Sequence, residues 1–180
     1  RFSQAVALMP ALNGYGTLTE DASGSLTEDN VAETFITAGL SKVLKINNVC
    51  DNEHLTDCGL PSSYTNLLGS NSQMPLKMSE LNSNLISYSA SGYSNTYSGI
   101  DTKAAAFETQ NGESILLFYN PGCVSNMNET SWYFSQPKIC VNMVYDLNGS
   151  KGPNTVGKDM GVMTILYPTD SVVVAPMPYN

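Results

Sequence analysis

Apolar positions return along this chain in two rhythms. In its first third they recur every three to four residues, the spacing of a helix face. Beyond Thr102 they alternate or run together, as strand positions do. Phe2, Val6 and Met9, with Leu8 and Leu12 alongside, predict a helix over 2–12, ended by Pro10 and the Asn13-Gly14-Tyr15-Gly16 stretch. A polar segment over 17–25 follows. Leu26-Thr27-Glu28-Asp29-Asn30 then reads as a helix start with acids in the first turn. Val31, Phe35, Ala38, Val43 and Leu44 carry that second helix to about Lys45, with Lys42 and Lys45 placed to complement its C-terminal dipole.

From 59 to 98 the pattern dissolves into a Ser/Asn/Tyr-rich stretch with short apolar clusters, predicting a long loop of functional or variable character. Strand rhythm then takes over. The segment 103–109, the turn Gln110-Asn111-Gly112 and the run 113–119 predict a β-hairpin, with Asn-Gly suited to a type I′ turn. Further strands are expected over 139–145, 161–167 and 171–175. Helices first and an antiparallel meander afterwards define an α+β class: an N-terminal helix packed on an antiparallel β-sheet, with disulfide-stapled loops. The 180 residues fit one domain, with 1–12 as a helix remnant, 27–100 as a helix and variable-loop region, and 101–180 as the sheet region.

Composition narrows the function classes. The chain is 42% hydrophobic, enough for a core, but only 13% charged, and Ser, Thr and Asn take the place of charges. With 16 carboxylates against 8 basic residues it has no net attraction for phosphate backbones, so no nucleic-acid partner is expected. No apolar run approaches the length of a membrane helix. The opening Arg1-Phe2-Ser3-Gln4 has neither Met nor an apolar signal behind it, which predicts a processed or truncated product.

Four cysteines, Cys50, Cys58, Cys123 and Cys140, contain no tight Cys-x-x-Cys knuckle of the zinc type. Two structural disulfides in an oxidising compartment are expected. Of three connectivities, Cys50–Cys58 with Cys123–Cys140 closes the shortest loops. The chain's one histidine, His54, lies inside the first of these loops among Asp51, Glu53 and Asp57. A catalytic base there competes with a plain solvated turn, and no triad, P-loop, zinc-helix or dinucleotide motif accompanies it. No enzyme is expected.

One segment has metal-like spacing. Asp146, Asn148, Ser150 and Asn154 stand at positions one, three, five and nine of a loop, as the oxygen donors of a calcium loop do. Lys151 replaces the usual glycine and Gly157 the closing glutamate; Asp159 is a late substitute. The competing reading is a turn locked by Asp146 and Asn154 side-chain bonds. Calcium is the candidate cofactor, and both readings stay open at this point. Tyr88, Tyr93 and Tyr97, with Trp132, offer a second candidate site, a stacking platform for carbohydrate. Asn128-Glu-Thr and Asn148-Gly-Ser match glycosylation sequons.

The run from Cys140 through Val141-Asn142-Met143-Val144-Tyr145 to Asp146-Leu147-Asn148-Gly149-Ser150-Lys151-Gly152-Pro153-Asn154 and Asp159 resembles a stretch found in bacterial type IV pilins and type II secretion pseudopilins. The hairpin at Asn111-Gly112 is similar too, and Arg1-Phe2-Ser3-Gln4-Ala5 resembles the distal part of the long pilin helix. The resemblance implies a long N-terminal helix, apolar in its first half, bearing a sheet head. It implies a structural subunit of an extracellular or cell-surface filament, inner-membrane-anchored before assembly, with copies of itself and other pilins or pseudopilins as partners. Membrane contact would run only through the helix upstream of Arg1. It also implies calcium binding by a C-terminal loop. The alternative is a secreted adhesin or carbohydrate-binding module using the exposed tyrosines.

Overall fold

The computed structural model describes residues 4, 29–81, 85, 101–119, 138–167 and 173–176, with the backbone alone for strand residues 138–140, 166–167 and 173–176. Its frame is a six-stranded antiparallel sheet. The strands are β1 (Ile46–Cys50), β4 (Ala105–Thr109), β5 (Ser114–Tyr119), β6 (Lys138–Asp146), β7 (Met160–Tyr167) and β8 (Val173–Pro176), in the spatial order β1-β4-β5-β6-β7-β8. A separate two-stranded sheet pairs β2 (Ser63–Thr65) with β3 (Asn71–Gln73).

β5 explains the layering. Every residue of Ser-Ile-Leu-Leu-Phe-Tyr is buried, so both faces of this strand are covered. Ile115, Leu117 and Tyr119 face one core with Ala105, Phe107, Val141, Met143 and Ile165. Leu116 and Phe118 face another with Ala104, Ala106, Val144 and Val162. An unbroken apolar run in an antiparallel sheet is thus period-two alternation with both phases apolar.

The first face is covered by a helical segment. It opens as α1 (Val31–Thr34), widens into a π-helical stretch (Phe35–Gly39) and tightens into a 3-10 turn (Leu40–Lys42). The buried positions are Val31, Ala32, Phe35, Ile36, Gly39, Leu40 and Leu44. That is a strict four-residue repeat. In an α-helix each four-residue step overshoots a full turn by about 40°, and the stripe would wind off the sheet. The Leu40 amide donates to the carbonyls of Phe35 and Ile36, so the turn is widened where the drift would accumulate. The Phe35 ring stacks on Tyr119 of β5 at 4.2 Å between centroids. The expected helix is therefore present, but its buried face includes Ile36 and Leu40, and its regular part stops at Lys42 rather than Lys45. β1, which follows at once, has no counterpart among the expected strands, because Ile-Asn-Asn-Val-Cys carries little alternation.

The other face is covered without a long element. A 3-10 turn (Leu55–Cys58), the β2–β3 hairpin and a second 3-10 turn (Met78–Glu80) lay Leu55, Leu60, Tyr64, Met74, Met78, Leu81 and Leu85 onto the sheet. Much of the expected loop region is thus a core layer.

The expected hairpin forms, with Glu108 opposite Ser114 and Ala105 opposite Leu117. Its turn differs from expectation. The Gly112 amide donates to Thr109 O at 2.9 Å and the Thr109 amide to Glu113 O at 2.9 Å, leaving three loop residues. Gly112 has φ +82°, whereas Asn111 is not left-handed. This is the three-residue loop with a left-handed glycine, not a type I′ turn. The three later strands fall where expected, within two residues. Of the expected 2–12 helix, Gln4 is helical and exposed; the remainder lies outside the described residues.

Candidate functional site

The loop joining β6 to β7 carries the metal-like spacing, and it is tightly built. Asp146 pairs with Met160 at its neck, and the Leu147 amide donates to Asp159 O at 2.9 Å. A 3-10 turn (Gly149–Lys151) and a cis Gly152–Pro153 bond follow. Asn154 then takes a left-handed φ of +49°, a conformation Asn tolerates better than most side chains. Beyond it the backbone pairs with β2: the Thr65 amide donates to Asn154 O and the Val156 amide to Thr65 O, each at 2.9 Å.

Two aspartates organise the interior. Asp159 accepts the Asn154 amide at 2.8 Å on Oδ2 and the Thr155 amide at 2.7 Å on Oδ1. Asp146 is fully buried and accepts the Asn148 amide at 3.0 Å on Oδ1. Burial, and then the negative charge of Asp159, push the Asp146 carboxyl above its ordinary value, against backbone hydrogen bonds from Asn148 and Gly149 that lower it. Asp146 Oδ2 and Asn154 Oδ1 are buried with no hydrogen-bond partner. Unpaired buried acceptors of this kind are costly, and they cluster where a cation or an ordered water completes a site.

A third such atom comes from the facing strand. Ser114 lies opposite Asp146 in the β5–β6 register, and its hydroxyl is buried without a partner. Two glycines leave room around it: a Cβ on Gly59 would stand 2.7 Å from Ser114 Oγ, and one on Gly149 3.4 Å. Ser114 escaped the sequence reading because its place opposite Asp146 is a matter of strand register, which loop spacing does not encode.

The structure therefore brings Asp146, Asn154 and Asp159 into one loop interior, and adds Ser114. It does not gather the other two expected donors. The Asn148 side chain is exposed and donates to Gly152 O at 2.8 Å, and Ser150 is exposed. Among the described residues no group of three or more His, Cys, Asp or Glu could hold a metal. A cation here would rest on two carboxylates and neutral oxygens, an all-oxygen set that suits calcium rather than zinc. The acceptors left open for such an ion are Asp146 Oδ2 and Asn154 Oδ1.

The disulfide between Cys50 and Cys58 is present, with Cα atoms 6.0 Å apart, and it ties edge strand β1 to the 3-10 turn above the sheet. Cys140 lies on β6, while Cys123, and with it the expected second bridge, lies outside the described residues. Within the bridged loop His54 Nδ1 and Asp51 Oδ1 are 2.7 Å apart, both side chains more than half exposed. That hydrogen bond raises the His54 pKa and lowers that of Asp51. The same Asp51 oxygen accepts the amides of Glu53 and His54 at 2.9 and 3.0 Å, so it acts as the cap of a tight turn. Tyr88, Tyr93, Tyr97, Trp132 and Asn128 lie outside the described residues.

Compared with family models, curated proteins and solved structures, the chain finds no match in any of the three.

Proposed function

We propose that this chain is the head of a filament subunit of the pilin or pseudopilin type, working by assembly rather than catalysis. An apolar helix upstream of Arg1 would bury its surface in the filament, and the sheet domain would supply lateral contacts and exposed surface. The observation that carries this reading is the run from Cys140 to Asp159, whose sequence resembles pilins and which folds as β6 and an Asp-anchored loop. A helical segment packed on one face of an antiparallel sheet supports it. So does the disulfide, which suits an exported protein. No helix among the described residues is long and apolar enough to cross a membrane.

Calcium belongs to the same proposal. Held by Asp146, Asn154 and Asp159, with Ser114 within the same interior, it would neutralise the two carboxylates and fix the loop against β2.

The test is the coding sequence before Arg1. The proposal expects about 20 apolar residues there, preceded by a prepilin-type processing site. An upstream region without such a segment overturns it.

A further inference from the structure

An open groove of about 870 Å³ crosses the face opposite the helix, between the disulfide loop and the β2–β3 hairpin. Its floor includes Leu55 and Met74, and Leu76 is 44% exposed beside them. Glu53 and Glu80 line the same groove.

One wall is a strand edge with no backbone partner among the described residues. The Met74 amide donates to Ser62 O at 3.0 Å and the Asn66 amide to Ser70 O at 2.9 Å. In an antiparallel ladder bonded pairs alternate with non-bonded ones, so Tyr64 and Ser72 are bonded to each other. The backbone groups of Thr65, Asn71 and Gln73 therefore point away from the hairpin. Those of Thr65 are used by the Asn154–Val156 segment. Those of Asn71 and Gln73 face outward on exposed residues that line the groove.

Natural sheets protect such edges with charge, proline or a bulge. β3 reads Asn-Ser-Gln, and no charged residue occurs between Ser62 and Leu76; Pro75, at the next outward position, limits the open edge to Asn71 and Gln73. The groove is also held in shape. Asn52 Nδ2 donates to Leu76 O at 2.7 Å and to Ala104 O at 3.3 Å, and the Leu76 amide donates to Glu80 Oε2 at 2.8 Å.

We propose that this groove receives an extended peptide segment of a partner protein, one that alternates apolar and basic side chains. Its backbone pairs with Asn71 and Gln73 as an added strand, its apolar residues lie against Leu55 and Leu76, and its basic residues face Glu53 and Glu80. An isolated apolar ligand would leave the strand edge unpaired, and an acidic strand would meet two carboxylates. The inference does not depend on the filament reading.

The probe is a capped Lys-Val-Lys-Val-Lys peptide titrated into the chain while amide resonances are followed. Saturable shifts at Asn71, Gln73 and Leu76 are expected. A Glu-Val-Glu-Val-Glu peptide should bind roughly tenfold more weakly or worse. N-methylation of the probe at the amides facing β3 should remove binding, and the Glu53→Lys variant, exposed and outside the core, should weaken it. Absence of shifts at millimolar probe overturns the proposal. So does equal response to both peptides, or retention of binding after N-methylation. Shifts at Asn71 and Gln73 that follow protein concentration without probe also overturn it, because the edge is then taken by a second copy.

Discussion

The two faces of the sheet solve one problem by different means. On one, a single helical segment covers Phe107, Ile115 and Leu117 with a stripe repeating every four residues from Val31 to Leu44. On the other, Ala106, Leu116 and Phe118 are covered by residues taken singly from two 3-10 turns, a short hairpin and a bridged loop. The first cover is one continuous helical segment, docked on the sheet along its whole buried stripe. The second consists of short pieces that cannot persist alone, and it needs a disulfide, Asn52 and the tie from β2 to the β6–β7 loop. Opening should therefore be cheaper on the second face, and both candidate sites lie there.

The strongest challenge to this contrast is a pair of truncations. Phe118→Ala and Ile36→Ala each delete a fully buried side chain, from opposite faces. By chemistry alone the first should cost about 3–5 kcal/mol and the second about 2–5 kcal/mol in unfolding free energy. If the looser cover can collapse into the space left by Phe118, its loss will fall at or below that of Ile36. Chemical denaturation of both variants reads the difference.

The disulfide gives a narrower test. Replacing Cys50 and Cys58 together by serine should cost about 2.5 kcal/mol by loop-closure entropy. Hydrogen exchange should then accelerate over 51–81 while Val31 to Leu44 stays protected. Uniform acceleration on both faces would show that the layers open as one.

The smallest effect concerns Asp146. Its carboxyl titrates above the usual 3.8 when folded. The favourable contribution of its protonated form is complete below 3.8 and is lost as pH rises through the raised value. At neutral pH without calcium the buried charge opposes folding, so Asp146→Asn should melt higher than the parent in chelator, an advantage that fades toward pH 3.8. Added calcium should raise the melting temperature of the parent and leave the variant unmoved. A variant that melts lower in chelator, or a parent indifferent to calcium, removes the ion from the proposal.

How much of this was legible in the sequence follows the same division. The helix and the strands from β4 onward carry periods of four and two, which side-chain geometry imposes and hydrophobicity displays. The helix position was readable, though widening of its turn shows only once the repeat is seen to be strictly four. The cover of the opposite face was not legible. Leu60, Tyr64, Met74 and Met78 have no common period, because each is delivered by a separate turn. Asp146, Asn154 and Asp159 were found because they are near in sequence, and Cys50 with Cys58 for the same reason. Ser114 and the open edge at Asn71 and Gln73 depend on long-range pairing and on which backbone groups a neighbour consumes. No local pattern records that.

β5 acts as a party wall, and this has a consequence for folding. In a strand with one wet side, a slip of one position exposes grease and hides polar groups, so water polices the alignment. Here both phases are apolar, so hydrophobicity alone does not tell Ile115 and Leu117 from Leu116 and Phe118. Alignment of β5 must be enforced elsewhere, by Gly112, whose left-handed backbone sets the length of the turn from β4. Further across the sheet, Gly161, where a Cβ would run into the ring of Tyr145, does the same for β6 and β7. A residue without a side chain keeps this doubly buried strand in step with β4, and a second keeps β6 in step with β7.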